Sequence, residues 1–148
     1  MTDSERLEAT IRELYARQGV GVLCARGDRY PHASLVAFAP SEDLRTILFA
    51  TLRQARKYGH IVHDPHVVLT VDSRTETNAD LSRTVVATAA GIAEEIPSAE
   101  RSGWKDVYLR RHPSLRAFLE SPDCALMAIR VQSYEVITDF QTVALLSF

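Results

Sequence analysis

Between residues 4 and 18 the apolar positions recur at three- and four-residue steps. Leu7, Ile11, Leu14 and Tyr15 share one face, which predicts an amphipathic helix capped by Asp3 or Ser4. Gly19 and Gly21 end that period, and the pattern changes to short apolar, β-branched runs. Residues 20–25 and 31–38, joined by Arg26-Gly27-Asp28-Arg29, predict a hairpin, and residues 47–50 a further strand after the turn at 40–43. Helix formers fill residues 52–62, with Tyr58, Ile61 and Val62 at helical spacing and Thr51 placed to cap the first turn. Asp64-Pro65 stops this helix, and residues 66–71 (HVVLTV) read as a strand. A polar turn at 72–80 precedes a long strand at 83–93, in which Gly91 marks a bend or bulge. A helix is predicted from Pro97-Ser98 to Arg111, broken by His112-Pro113, then a short helix over 114–119. Strands at 125–131 and 134–137 and a final buried strand at 143–148 complete the chain.

Few helices separate the strands, which argues against a doubly wound parallel sheet. The pattern predicts a single, mainly β domain over residues 1–148, its antiparallel sheet closing into a barrel with helices packed outside. The apolar ending VALLSF has to be tied into the sheet or into a subunit contact. The 148 residues contain 46% hydrophobic and 24% charged positions, enough for a real core. A net charge of −2 gives no reason to expect nucleic acid or an anionic membrane as partner. The start, MTDSERLE, lacks a signal peptide's apolar core, and no apolar run is long enough to span a membrane. Cys24 and Cys124 each sit in apolar runs and fit neither a metal knuckle nor a redox pair. A cytoplasmic protein with reduced thiols is expected.

Within this ordinary balance, Arg53, Arg56 and Lys57 cluster at the start of the helix after Thr51. Cations there oppose the helix dipole, a conflict that a bound anion such as phosphate would resolve. A solvated basic face is the alternative. His60, His63 and His66 are divided between a helix and a strand, with Asp64 the one adjacent carboxylate, and read as helix-end or surface histidines; no metal site is assigned. His112 reads as a capping or packing residue, Trp104, Tyr108 and Phe118 as core, and Glu94, Glu95 and Glu100 as a solvated acidic stretch. No nucleophile–base arrangement or glycine-rich dinucleotide loop is present, so no catalytic residue is named.

The run Phe49-Ala50-Thr51, then Arg56-Lys57, then Asp64-Pro65 and HVVLTV resembles the pyridoxamine 5′-phosphate oxidase-like superfamily of FMN-binding split barrels. PHASLV (31–36) is similar to that superfamily's flavin-lining strand, and RTVVATAAG (83–91) to the strand that follows. YLRRHP (108–113) resembles the haem-utilisation branch. The resemblance implies a split β-barrel in which Arg56 and Lys57 hold the FMN phosphate and Thr51 adds a hydroxyl. Ser34, Leu35 and Val36 would lie along the ring or ribityl chain, partly through their backbone. Thr84 stands where the oxidase carries a cofactor-contacting Gln. The implied protein is an FMN-dependent oxidoreductase, a homodimer with flavin at the interface and a small-molecule redox substrate. The alternatives are a flavin- or haem-binding protein with little turnover, or a deazaflavin-dependent reductase. The C-terminal segment lacks the Arg-rich, Pro-terminated motif expected for pyridoxamine phosphate oxidation itself.

Overall fold

The computed structural model describes residues 1–78 and 80–148. Ala79, part of the predicted polar turn, lies outside the described residues. In order, the elements are α1 (Asp3–Arg17), β1 (Val20–Ala25), β2 (His32–Pro40), β3 (Thr46–Leu52), α2 (Arg56–His63), β4 (His66–Asp72), β5 (Val86–Glu95), α3 (Ser98–Arg111), a 3-10 turn (Pro113–Leu115), α4 (Arg116–Glu120), β6 (Cys124–Thr138) and β7 (Thr142–Ser147). All the strand pairs are antiparallel. The order is β3-β2-β1-β4-β5-β6, and β6 pairs back onto β3, which closes a six-stranded barrel; β7 lies along the far half of β6. This is the predicted split-barrel class.

The two strands expected at 125–131 and 134–137 are one 15-residue strand, β6. Gln132 and Ser133 looked like a break, but the chain absorbs them in a bulge. Ala90 faces Ser133 and Gly91 faces Val131, so Gln132 is left over in the β5–β6 ladder. At this point β6 changes its second partner from β3 to β7. Gly91 is required there, because a β-carbon would stand 2.2 Å from the Arg130 carbonyl oxygen.

Phe38, Ile47, Phe49, Leu69, Met127 and Ile129 fill the barrel, and Ile11, Leu14 and Tyr15 of α1 join the same core. A second core lies outside β3 and β6, where Leu48, Leu126 and Ala128 meet Tyr108, Leu109 and Leu119. Both faces of β3 are therefore buried, which explains why its sequence is apolar without alternation. Tyr108 donates to the Ala37 carbonyl at 2.9 Å, the His112 ring nitrogen lies 2.7 Å from the Phe38 carbonyl, and Arg111 donates to the Tyr15 and Gln18 carbonyls. These contacts tie α3 to β2 and α1, and they give His112 a packing role. Trp104 packs on the second core, whereas Phe118, expected in a core, is exposed.

The final strand departs from expectation. It is tied to β6, but Leu146 alone is buried along it, with Val143 56% and Leu145 69% exposed. As an edge strand it has a partner on one side and core beneath few of its residues. Among the described residues no helix is long and apolar enough to cross a membrane, and both cysteines are free thiols.

Candidate functional site

β2 and β3 pair only where Phe38, Ala39 and Pro40 meet Phe49, Leu48 and Ile47. Beyond Phe49, β3 continues against β6, with Thr51 facing Ala125 and Leu52 facing Cys124. α2 follows, touching β1, β3 and β5 and sending Ile61 into the barrel core. It begins at Arg56, four residues later than the helix propensity suggested, because residues 52–55 are held in a turn. Ala55 donates its N–H to the Leu52 carbonyl at 3.0 Å. Arg53 is held outside the helix by distant partners. Its Nε and Nη2 meet the two Glu95 carboxylate oxygens at 3.2 and 2.5 Å, and its Nη1 donates to the Pro122 carbonyl at 2.8 Å. Tyr58 donates its hydroxyl to the same Glu95 carboxylate at 2.8 Å. Arg53, then Tyr58, hold the Glu95 carboxyl below its usual range against the opposing effect of burial. Glu95 is thus a bracing partner and not part of a solvated acidic stretch.

The expected cap is absent. Thr51 lies on β3, almost fully buried, and its hydroxyl donates to the Leu52 carbonyl at 3.2 Å. The residue before α2 is Ala55, which has no side chain to accept from the first turn. Ala55 and Tyr58 already donate their N–H groups to the Leu52 and Ala55 carbonyls, so among the described residues the amides of Arg56 and Lys57 are the ones left with hydrogen-bonding capacity. Arg56 and Lys57 follow directly, and among the described residues neither forms an ion pair.

β2 supplies the other side of this corner. Its alternation sends His32, Ser34, Val36 and Phe38 to one face and Leu35 to the other. Val36 packs in the core and Leu35 is 70% exposed on the outer sheet face, so the three consecutive residues cannot all offer side chains to one ligand. Any contact from Val36 is through its backbone. Ser34 Oγ, His32 Nδ1 and His60 Nε2 are buried and have no hydrogen-bond partner among the described residues. The His32 and His60 rings lie 5.1 Å apart at 58°. Burial first, then Arg56, His60 and Lys57, hold the His32 imidazole below its usual range. Two cations, free helix amides, a hydroxyl and two imidazoles make a corner suited to a small anion.

Thr84 is elsewhere. It precedes β5, and its hydroxyl is engaged with the Asp80 carbonyl and the Thr77 hydroxyl, both at 2.9 Å. The Arg53–Glu95 brace marks the opposite end of the ten-residue β5, roughly 30 Å away along the strand. One copy of the chain does not bring Thr84 to Arg56 and Lys57.

Two further features were not legible beforehand. Across the outer sheet face, one row runs Leu35, Val22, Thr70, Thr88, Glu135 and Leu145, and the next contains Cys24, Val68, Ala90 and Ser133. On the same face a cavity of about 610 Å³ opens beside the β1–β2 turn, with Cys24, Tyr30, Val68 and Gln132 among its walls. Cys24, His66 and Gly91 line it, but none of the residues that the resemblance assigns to the cofactor does. The pairing of His32 with His60 was likewise hidden, since no spacing in the sequence relates a strand residue to a helix residue across the barrel.

The family model described as pyridoxamine 5′-phosphate oxidase matches residues 7–136. No curated protein matches the chain at comparable significance. Among solved structures, a haem binding protein from Mycobacterium smegmatis superposes with a TM-score of 0.84 at 19% identity. That match covers 99% of this chain, which spans only 58% of the other. General stress protein 26 from Bacillus anthracis gives a TM-score of 0.71 at 20% identity, covering 97% and 99% of the two chains. An FAD-binding protein from Mesorhizobium loti gives 0.68 at 14% identity, covering 86% and 91%. At these identities the likeness is one of fold.

Proposed function

The chain belongs to the pyridoxamine 5′-phosphate oxidase family, and from that premise we propose that it binds FMN as a flavin-dependent oxidoreductase acting on a small redox substrate. The observation that carries this reading is the corner at the start of α2. There Arg56 and Lys57 have no carboxylate partner among the described residues, and Ser34 Oγ, His32 Nδ1 and His60 Nε2 are buried without partners. These donors fit a phosphate. Arg56 and Lys57 supply its counter-charge, the α2 amides direct N–H groups at it, and Ser34 adds a hydroxyl. Thr51 fixes the end of β3, so that the basic turn starts from a buried anchor. The flavin, when bound, supplies the electron transfer, while the protein supplies position and electrostatics.

The rest of the site calls for a second copy. Thr84 reaches a flavin held by Arg56 and Lys57 only from another protomer, and the outer sheet face carrying Leu35 and Leu145 supplies an apolar surface for that contact. We infer a cytoplasmic homodimer with flavin at the interface. The resemblance in fold to a haem binding protein supports a second reading, haem binding without turnover, in which His32 or His60 would hold the haem. The adjoining Arg56 and Lys57 favour the phosphate ligand.

Replacing Arg56 and Lys57 together with Ala should weaken FMN by about 10- to 100-fold, the loss of charge-assisted hydrogen bonds, and leave riboflavin nearly unchanged. Equilibrium titration of both ligands against both proteins checks this. Equal weakening of FMN and riboflavin would remove the phosphate role.

A further inference from the structure

We propose that anion binding at the start of α2 takes up a proton, carried by the His32–His60 pair. The inference rests on the phosphate reading above and adds two ligands and a proton to it. The two rings are 5.1 Å apart, one from β2 and one from α2. His32 Nδ1 and His60 Nε2 are the ring nitrogens that lie buried and unpartnered. A neutral imidazole has one N–H and one lone pair, so each ring offers an anion only one donor, and a lone pair turned towards it repels it. Protonation makes both nitrogens of a ring donors.

The charges that bear on His32 are Arg56 and Lys57, with His60 adding to them when protonated, and none of the three is a carboxylate. They favour a neutral ring while the site holds only cations. A doubly charged anion reverses the balance, because its field opposes those of Arg56 and Lys57. The rings are close enough to repel one another when both are charged, so the pair takes up one proton and shares it. The charges that bear on His32 argue against a metal ion between the imidazoles, since Arg56 and Lys57 are cations and no carboxylate is among them.

The direction follows from linkage. In the free protein the His32 imidazole titrates below its usual range, and with the anion bound it titrates higher. Affinity is therefore weakest and constant above the bound-state value, rises as pH falls between the two values by at most about tenfold per unit, and levels off below the free-state value.

The test uses the whole protein and two ligands, FMN and inorganic sulfate, whose charge does not change near neutrality. Calorimetric titrations from about pH 6 to about pH 8, in buffers of differing protonation heat, give affinity and proton uptake together. The proposal expects sulfate to bind more tightly as pH falls, with uptake approaching one proton per anion. In His32→Gln/His60→Gln both effects should vanish, leaving the weaker high-pH affinity. The proton count on the unaltered protein stands whether or not that variant folds. Binding of FMN or sulfate that is independent of pH and without proton uptake overturns the proposal while leaving the phosphate site intact. Failure of both ligands to bind at any pH overturns the site and the proposal together.

Discussion

Gly91 and Gly59 show how differently one residue type can be constrained. At Gly91 a β-carbon would meet the Arg130 carbonyl oxygen at 2.2 Å, backbone against backbone in the β5–β6 bulge. Gly91→Ala should therefore destabilise the protein by about 2–4 kcal/mol, as a forced shift in a packed sheet. Gly59 lies on α2, where an added β-carbon meets nothing within 4 Å. Gly59→Ala should stabilise by about 0.5–1 kcal/mol through helix propensity. Urea unfolding of the two variants measures both; a neutral Gly91→Ala would mean that the bulge relaxes freely. The sequence showed that Gly91 was a bend, since a glycine stood alone in a β-branched run. It could not show the partner, because Arg130 reaches that position only through barrel closure. Arg56 and Lys57 were legible for a similar reason to Gly91: two cations at a helix start are locally anomalous. His32 and His60 were individually unremarkable, and only the folded approach of α2 to the His32 end of β2 makes them a pair.

At the scale of elements, α2 depends on its approach turn. Arg53 and Tyr58 meet on Glu95, so the turn before the helix and its first inward residue are held by one carboxylate from β5. The pair is partly exposed, with side-chain accessibilities of 38% and 31%, which limits Glu95→Gln to a loss of up to about 1 kcal/mol at neutral pH. Its pH dependence follows from the lowered Glu95 carboxyl. The contribution is present above the unfolded carboxyl's value of about 4.3 and is lost as pH falls through the lower folded value. The difference in stability between the native protein and Glu95→Gln should close under acid conditions; a difference unchanged in acid would show that the carboxylate is not what braces the turn. The early start assigned to this helix has the same origin. Leu52 and Arg53 have good helix propensity, but pairing with Cys124 and contacts to Glu95 and Pro122 hold them otherwise. Local preference yields to partners that lie far along the chain. Alternation and turn residues, by contrast, marked β1, β2 and β4 well, because each has one face in the core and a chain-local boundary.

For the whole molecule, the β3–β6 pairing that closes the barrel was not readable, since it joins segments on either side of three helices. The mainly β class and the external helices were readable from element order. So was the need to tie down VALLSF, but the open face of β7 was not, because the same apolar letters serve a core or a contact between copies. If that face joins two protomers, Leu35→Glu with Leu145→Glu should shift sedimentation from dimer to monomer, since a stable interface of about 1,600 Å² tolerates buried unpaired charges poorly. A monomeric native protein would contradict the two-copy site. The central claim is that the corner formed by β2 and the start of α2 holds the phosphate of a flavin. The most direct measurement is an equilibrium titration of the purified, ligand-stripped protein with FMN and with riboflavin, following flavin absorbance and fluorescence. Saturable binding of FMN, stronger than that of riboflavin by about tenfold or more, is the predicted result. Binding of neither flavin, or equal affinity for both, would contradict the account.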